Sequence, residues 1–312
     1  MNSNTASVSA IEEAILVNDL VDNTKQTEQP RIKRGWLRAI IGAIAISIFA
    51  GLGIIPLFIS GAMTPAMIEM SASDLFNKLG VNMMFIFLLL QFVAAMIALF
   101  VFRRFVDKKS FKSLGFEFSN YKTDLLKGLV WGACLISIGF LALYLTGFLT
   151  IINTDFEAIQ WLSYIAFFIV VALNEEILVR GYVLTNLMAS MNKYWALVVS
   201  ALLFSAMHLA NDNSSLISTI NLFLAGIMLG IYTIHKRNLW FPIAMHFTWN
   251  FFQGPVLGFE VSGTKMESAI NQQIIGNPLI TGGEFGFEGS LLLTAMMIAS
   301  TLYIDRKYKN AQ

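Results

Sequence analysis

An all-α, polytopic membrane protein of about eight transmembrane helices around an intramembrane cavity is the fold class that three observations predict. Of the 312 residues, 56% are hydrophobic and only 13% are charged, against about 25% charged in an ordinary soluble domain. Predominantly apolar windows of about 18 or more residues recur, each long enough to cross about 30 Å of hydrocarbon as a helix. The third observation is how the positive charges segregate between the connections.

The apolar windows predict helices over roughly 37–59, 81–102, 128–150, 161–182, 194–211, 216–234, 239–257 and 288–304. Basic residues precede the first helix (Lys25, Arg31, Lys33, Arg34, Arg38) and crowd the connection between the second and third, from Arg103 to Lys127. They recur as Arg180 and Lys193, as Lys236 and Arg237, and as Arg306, Lys307 and Lys309. With eight spans, all of these fall on one side, and of the 21 Lys and Arg only Lys78 and Lys265 fall on the other. Connections rich in Lys and Arg stay in the cytoplasm, so both termini are expected there. An odd number of spans would destroy the segregation.

The chain divides into a polar cytoplasmic tail (1–34), two helices with a basic segment (35–124), a core of five helices (125–257), and an outer loop, last helix and C-terminus (258–312). Residues 1–30 are polar and mixed in charge, unlike a cleaved signal peptide. Within them 10–21 has the pattern of a short amphipathic helix, and Glu12-Glu13 belongs to this tail. The outer loop, about 258–287, is rich in Gly, Asn, Gln and Glu and is expected to be solvated, with an ordered lid as the alternative. A single cysteine, Cys134, excludes intramolecular disulfides and multi-cysteine metal sites, and reads as a small packing residue.

Ionisable residues inside apolar helices carry the functional signal. The fourth window continues Asn174-Glu175-Glu176-Ile-Leu-Val-Arg180. An ionised side chain at mid-bilayer costs at least about 2.5–3.5 kcal/mol, so such residues normally line a cavity and act there. Glu176 and Arg180 are four apart on a helix and face each other. Glu175 is rotated about 100° away, which leaves it available as a general base. The bland alternative for the pair is a structural salt-bridge cluster. His208 follows Phe204 by one turn in the fifth window, and His246 and Asn250 share a face of the seventh. Imidazoles can activate water, bind a metal or donate to an oxyanion, and a carboxamide N–H suits the last role. Two carboxylates, two imidazoles and an amide on three apolar helices are the parts for hydrolysis. His235, beside Lys236-Arg237, reads instead as an interfacial residue. Counting along the helices places Glu175 and His246 about 9 Å from the cytoplasmic surface but His208 about 21 Å; a tilted or sunken helix end is needed to bring them together. There is no His-Glu-x-x-His, Gly-x-Ser-x-Gly or Gly-x-Gly-Asp, so other intramembrane protease chemistries lack their motifs.

These residues, in this order, resemble the CAAX protease and bacteriocin-processing (CPBP, or Abi) family. Its signature, Glu-Glu-x-x-x-Arg, Phe-x-x-x-His and His-x-x-x-Asn, occurs as Glu175-Glu176…Arg180, Phe204…His208 and His246…Asn250. The surroundings Ala225-Gly226…Gly230, Asn238-Leu-Trp240…Pro242 and Phe111-Lys-Ser-Leu-Gly115-Phe are similar too. The resemblance covers roughly 125–255. It implies an eight-helix intramembrane endopeptidase in which Glu175 and His208 activate water, His246 and Asn250 form the oxyanion hole, and Glu176 and Arg180 support the site. Whether a metal takes part is left open: members are often labelled metalloproteases, zinc accepts Glu and His, and Glu175, His208 and His246 are the candidate ligands. The reading favours a metal-independent reaction.

The expected activity is cleavage of a peptide or lipidated protein near the cytoplasmic face of a bacterial cell membrane, in CAAX-like processing, bacteriocin maturation or self-immunity. The alternative is a non-catalytic scaffold or regulator, against which the intact motifs argue; a proton-relaying transporter is more remote. Membrane lipids are the other expected contacts. No nucleic-acid site is expected, because topology accounts for the basic residues.

Overall fold

The structure, a computed structural model, describes residues 29–155 and 157–309. The expected tail, with its 10–21 stretch and Glu12-Glu13, lies outside the described residues up to residue 28. Each of the eight apolar segments contains a helix: α1 (Gly35–Ile59, broken near Gly53), α2 (Ala72–Val106), α3 (Lys122–Leu145), α4 (Ala158–Leu187), α5 (Lys193–Ala206), α6 (Leu216–Lys236), α7 (Trp240–Phe251) and α8 (Leu291–Lys309). Five of them, α1–α4 and α6, are long and apolar enough to cross a membrane. Large apolar side chains such as Ile40, Ile44 and Ile48 on α1 face outward, which suits a lipid surround.

Boundaries differ from the expectation for local reasons. α2 begins early because Ser71 caps it, its side chain accepting from the Asp74 amide at 3.1 Å, and it kinks at Gly80 (φ 68°). The third helix was expected to reach residue 150 but ends at Leu145, after which Gly147 takes φ 79°. The chain then forms β1 (Leu149–Thr154), which pairs antiparallel with β2 (Ile270–Ile274) of the outer loop. The all-α expectation is therefore corrected by one small sheet. The outer loop is not the solvated segment expected. It is folded, with Phe259, Phe285 and Phe287 buried in the main core and Gln253 Nε2 donating to Glu260 O at 2.7 Å. Cys134 is exposed on α3 rather than packed inside.

Close backbone approach sets the position of α7. A Cβ on Gly128 would lie 2.4 Å from Phe241 O, and one on Gly132 would lie 2.2 Å from Met245 O. Small residues four apart therefore let α3 and α7 meet backbone to backbone, the packing that helices use in lipid. At the basic end Asp107 holds Arg103 at 2.8 Å and Arg38 at 3.3 Å. Arg38 also donates to Asn186 Oδ1 at 2.9 Å, so α1, α2 and α4 are tied there.

Gly132→Ala is expected to destabilise the protein by about 1–3 kcal/mol, the usual cost of overpacking, and to lower activity, because the obstructed backbone adjoins His246. Gly51→Ala, where a Cβ would meet nothing within 4 Å, should shift neither. Thermal unfolding of the two variants in detergent checks the contrast.

Candidate active site

The centre is built on a change of helical geometry in α4. Regular α-helix runs to Glu176, and Ile177–Leu184 continues in the wider π form, which recurs at functional sites. Glu176 and Arg180, both wholly buried, meet at this junction, Arg180 Nη1 donating to Glu176 Oε1 at 2.9 Å. The same oxygen receives His246 Nδ1 of α7 at 2.8 Å. Arg180 Nη2 donates to Gly226 O of α6 at 3.3 Å, and its guanidinium lies 4.2 Å from the centroid of the Phe204 ring on α5. One buried ion pair thus reaches four helices.

Hydrogen-bond partners assign the histidine tautomers. His208, in the first turn beyond α5, has Nδ1 at 2.8 Å from Phe204 O. A carbonyl can only accept, so Nδ1 carries the proton and Nε2 of the neutral ring presents a lone pair. His246 likewise directs Nδ1–H to the Glu176 carboxylate. Both Nε2 atoms face one oxygen, Glu175 Oε2, at 3.8 Å from His208 and 3.9 Å from His246. No protein donor satisfies that buried oxygen among the described residues. Glu175, His208, His246 and Asn250 all line one cavity of about 330 Å³, within reach of the roughly 300–1,000 Å³ of small-molecule sites. Asn250 makes no side-chain hydrogen bond to the protein among the described residues, which leaves its amide to the cavity. Separations of 3.8 Å between polar atoms suit a bridging water better than a direct bond.

Residues 157–252 match the family model described as type II CAAX prenyl endopeptidase Rce1-like. No curated protein and no solved structure matches the chain. The chain carries a CAAX-protease-family domain. It is an integral membrane protein. The Rce1-like segment begins at the head of α4 and ends just after Asn250, so it contains all six candidate residues and Phe204.

Three features of the Rce1-like centre depart from the expectation. Arg180 is not in a connection: α4 runs on to Leu187, and the arginine is buried inside the bundle. The site is not near the basic face. Glu175 lies twelve residues from that end of α4, and His208 about 22 Å from the start of α5 at about 1.5 Å per residue. His246 joins them because the start of α7 is sunken. Asn238 and Leu239 are buried beneath the 111–121 segment, with Leu239 N donating to Gly115 O at 3.0 Å and Asn238 Nδ2 to Glu117 O at 2.7 Å. His235 lies outside the cavity, but is buried rather than interfacial: its Nε2 meets Asp305 Oδ1 of α8 at 2.8 Å.

The motif residue Phe204 and several residues outside the motifs complete the site. Phe204 supplies a ring to Arg180 and its carbonyl to His208. Asn211, Ser262, Thr264 and Glu288 line the cavity from the face opposite the basic one. Polar bonds join these walls: Asn211 Nδ2 to Ser262 O at 3.0 Å, Ser73 N to Asp212 Oδ2 at 3.1 Å and Ser73 Oγ to Gly263 O at 3.0 Å.

Glu175, His208 and His246 are donor types that zinc accepts, but they are spaced wider than a bound ion holds its ligands. Zinc bonds of about 2.0–2.2 Å bring neighbouring tetrahedral donors to about 3.4 Å, closer than the distances from Glu175 Oε2 to the two imidazoles. Among the described residues no group of three His, Cys, Asp or Glu side chains is placed to hold a metal ion.

His235→Ala is expected to lower stability by unpairing Asp305, yet to leave kcat/KM per folded molecule within about twofold of wild type, as at a site distant from the chemistry. His246→Ala should lose activity far beyond any loss of folded protein. Activity normalised to folded protein by size-exclusion chromatography separates the two.

Proposed function

We propose that the chain is an intramembrane endopeptidase in which Glu175 and His208 activate a water molecule and His246 and Asn250 stabilise the oxyanion. The observation that carries this reading is Glu175 Oε2 facing Nε2 of His208 across 3.8 Å inside the cavity. A water held there meets two acceptors, so either can take its proton as the oxygen attacks a peptide carbonyl. The tetrahedral intermediate collapses by expelling the amine, which takes that proton back. Asn250 offers an amide N–H to the oxyanion. His246 can donate from Nε2 only as the imidazolium, because Glu176 already holds its Nδ1–H. Glu176 and Arg180 therefore act as positioning residues.

In this reading all eight helices cross the membrane with the basic face in the cytoplasm, and the core is 125–257. The substrate is a peptide or a lipidated protein held by apolar walls such as Phe76, Phe167 and Leu222. CAAX-like processing is the role that the Rce1-like match suggests; bacteriocin maturation or self-immunity is the role that the motif resemblance adds.

Glu175→Gln and His208→Ala should each lower kcat/KM by about 10²–10⁴-fold, the range of a general base, and Asn250→Ala by about 10²–10³-fold, while the proteins still accumulate. Comparing peptide termini in membranes expressing wild type or Glu175→Gln at equal levels tests the activity; identical termini would refute it. Cleavage should also survive exhaustive chelation. Loss with a chelator and recovery with zinc would overturn the metal-free mechanism.

A further inference from the structure

We propose that Glu288 is a specificity residue of the same chamber, accepting the ammonium or guanidinium of a Lys or Arg side chain of the substrate. This rests on the proteolytic reading above. Glu288 lies outside the Rce1-like segment 157–252, so that match assigns it nothing. It belongs to the outer loop, is 6% exposed, and lines the same cavity as Glu175 and the two histidines.

Charge complementarity carries the argument. The cavity lining contains two carboxylates, Glu175 and Glu288, and no Lys or Arg. Glu175 has both imidazoles beside it. Glu288 forms no ion pair among the described residues; its hydrogen bonds come from Ser262 N at 2.7 Å and Ser262 Oγ at 2.8 Å, both to Oε2. Its other oxygen makes no hydrogen bond among the described residues, and the residue lines the chamber. A buried carboxylate with no cation beside it is costly, and a cationic substrate group supplies the missing partner. The surrounding walls, among them Phe76, Leu222 and Val261, fit the methylene stem of such a side chain and apolar neighbours.

The carboxylate is held in a fixed place, as a recognition group must be. Asn221 Nδ2 of α6 donates to Glu288 O at 2.7 Å and to Ser290 O at 2.8 Å, and Thr294 Oγ1 of α8 donates to Asn221 Oδ1 at 2.6 Å. The neighbouring backbone is equally constrained: Gly286 has φ 94°, and a Cβ there would lie 1.9 Å from Glu260 O. A purely structural account, in which Glu288 only holds the Ser262 turn, makes a different forecast. A glutamine oxygen accepts the same two bonds without the charge.

The test uses full-length protein in the Glu175→Gln background, so that binding is read without turnover. The probes are fluorescent apolar nonapeptides, identical except for Lys, Met or Glu scanned through each position. The proposal expects Lys to bind at least about tenfold more tightly than Met at one or two positions, with Glu weakest, and Glu288→Gln to bring the Lys:Met ratio to about one. A ratio that Glu288→Gln does not change, or no preference for Lys at any position, overturns it. Glu288→Gln must also unfold at the temperature of its parent; loss of the ratio only through unfolding counts for the structural account. Cleavage of the same peptides by wild type, but not Glu175→Gln, reports separately on proteolysis. Cleavage without a Lys preference sinks only the Glu288 assignment, and a Glu288-dependent preference without cleavage sinks only the protease.

Discussion

Everything in the centre depends on one oxygen, Glu176 Oε1, which accepts from both Arg180 and His246. Neither member of the ion pair is exposed, so the charges have no water to fall back on. Removing one partner of a buried pair costs about 3–5 kcal/mol because the other is stranded. The pair also has no local alternative: Arg180 is held by the Gly226 carbonyl and the Phe204 ring, and Glu176 by the imidazole of α7. The consequence is geometric. The carboxylate takes the Nδ1–H of His246, and hence turns Nε2 toward Glu175.

Such an arrangement requires backbones that come close and a helix that turns at an unusual rate. Glycines on α3 let α7 approach until Gly132 abuts Met245 O, immediately before His246 in the chain. The π stretch of α4 places Arg180 against α5 and α6 while Glu175, one residue before Glu176, points into the cavity. A second π segment, Phe252–Val256, follows Asn250 and contains Pro255. Proline lacks the amide that a regular ladder needs there. Both α4 and α7 therefore leave α geometry within a few residues of their candidate site residues.

Much of this was legible in the sequence because it is local. Apolar windows mark the helices, and the i, i+4 spacings join Glu176 to Arg180 and set His246 beside Asn250 on one face. Depth was not legible. It depends on where helix ends lie, and the start of α7 is sunk by contacts with Gly115 and Glu117, more than a hundred residues earlier. The π register escaped for a related reason: no residue in Ile177–Leu184 announces it. His235 shows the limit of reading neighbours alone. Lys236-Arg237 suggests an exposed end, but Asp305 covers the ring from α8. The folding of the outer loop depends on pairing with β1, over a hundred residues away, and its polar composition resembles that of a solvated turn.

The two ends of the chamber are held by interactions of different strength, and that difference decides where it can open. Towards the basic face the walls are joined by buried charges, Glu176 with Arg180 and Asp107 with two arginines. Breaking these strands an ion at about 3–5 kcal/mol. On the opposite face Ser73, Asn211, Asp212 and the 262–263 turn are joined by part-buried hydrogen bonds, each with a net value of about 0.5–3 kcal/mol depending on charge. Water can replace the roof bonds when they part, whereas the Glu176–Arg180 pair is wholly buried and has no such substitute. Glu288 stands where the two regimes meet. Its backbone is anchored to α6 through Asn221, while its carboxylate holds the Ser262 turn of the roof. In the proposed reading, a substrate beneath that turn meets the fixed charge of Glu288 and the floor groups on one peptide, so recognition and chemistry share no residue.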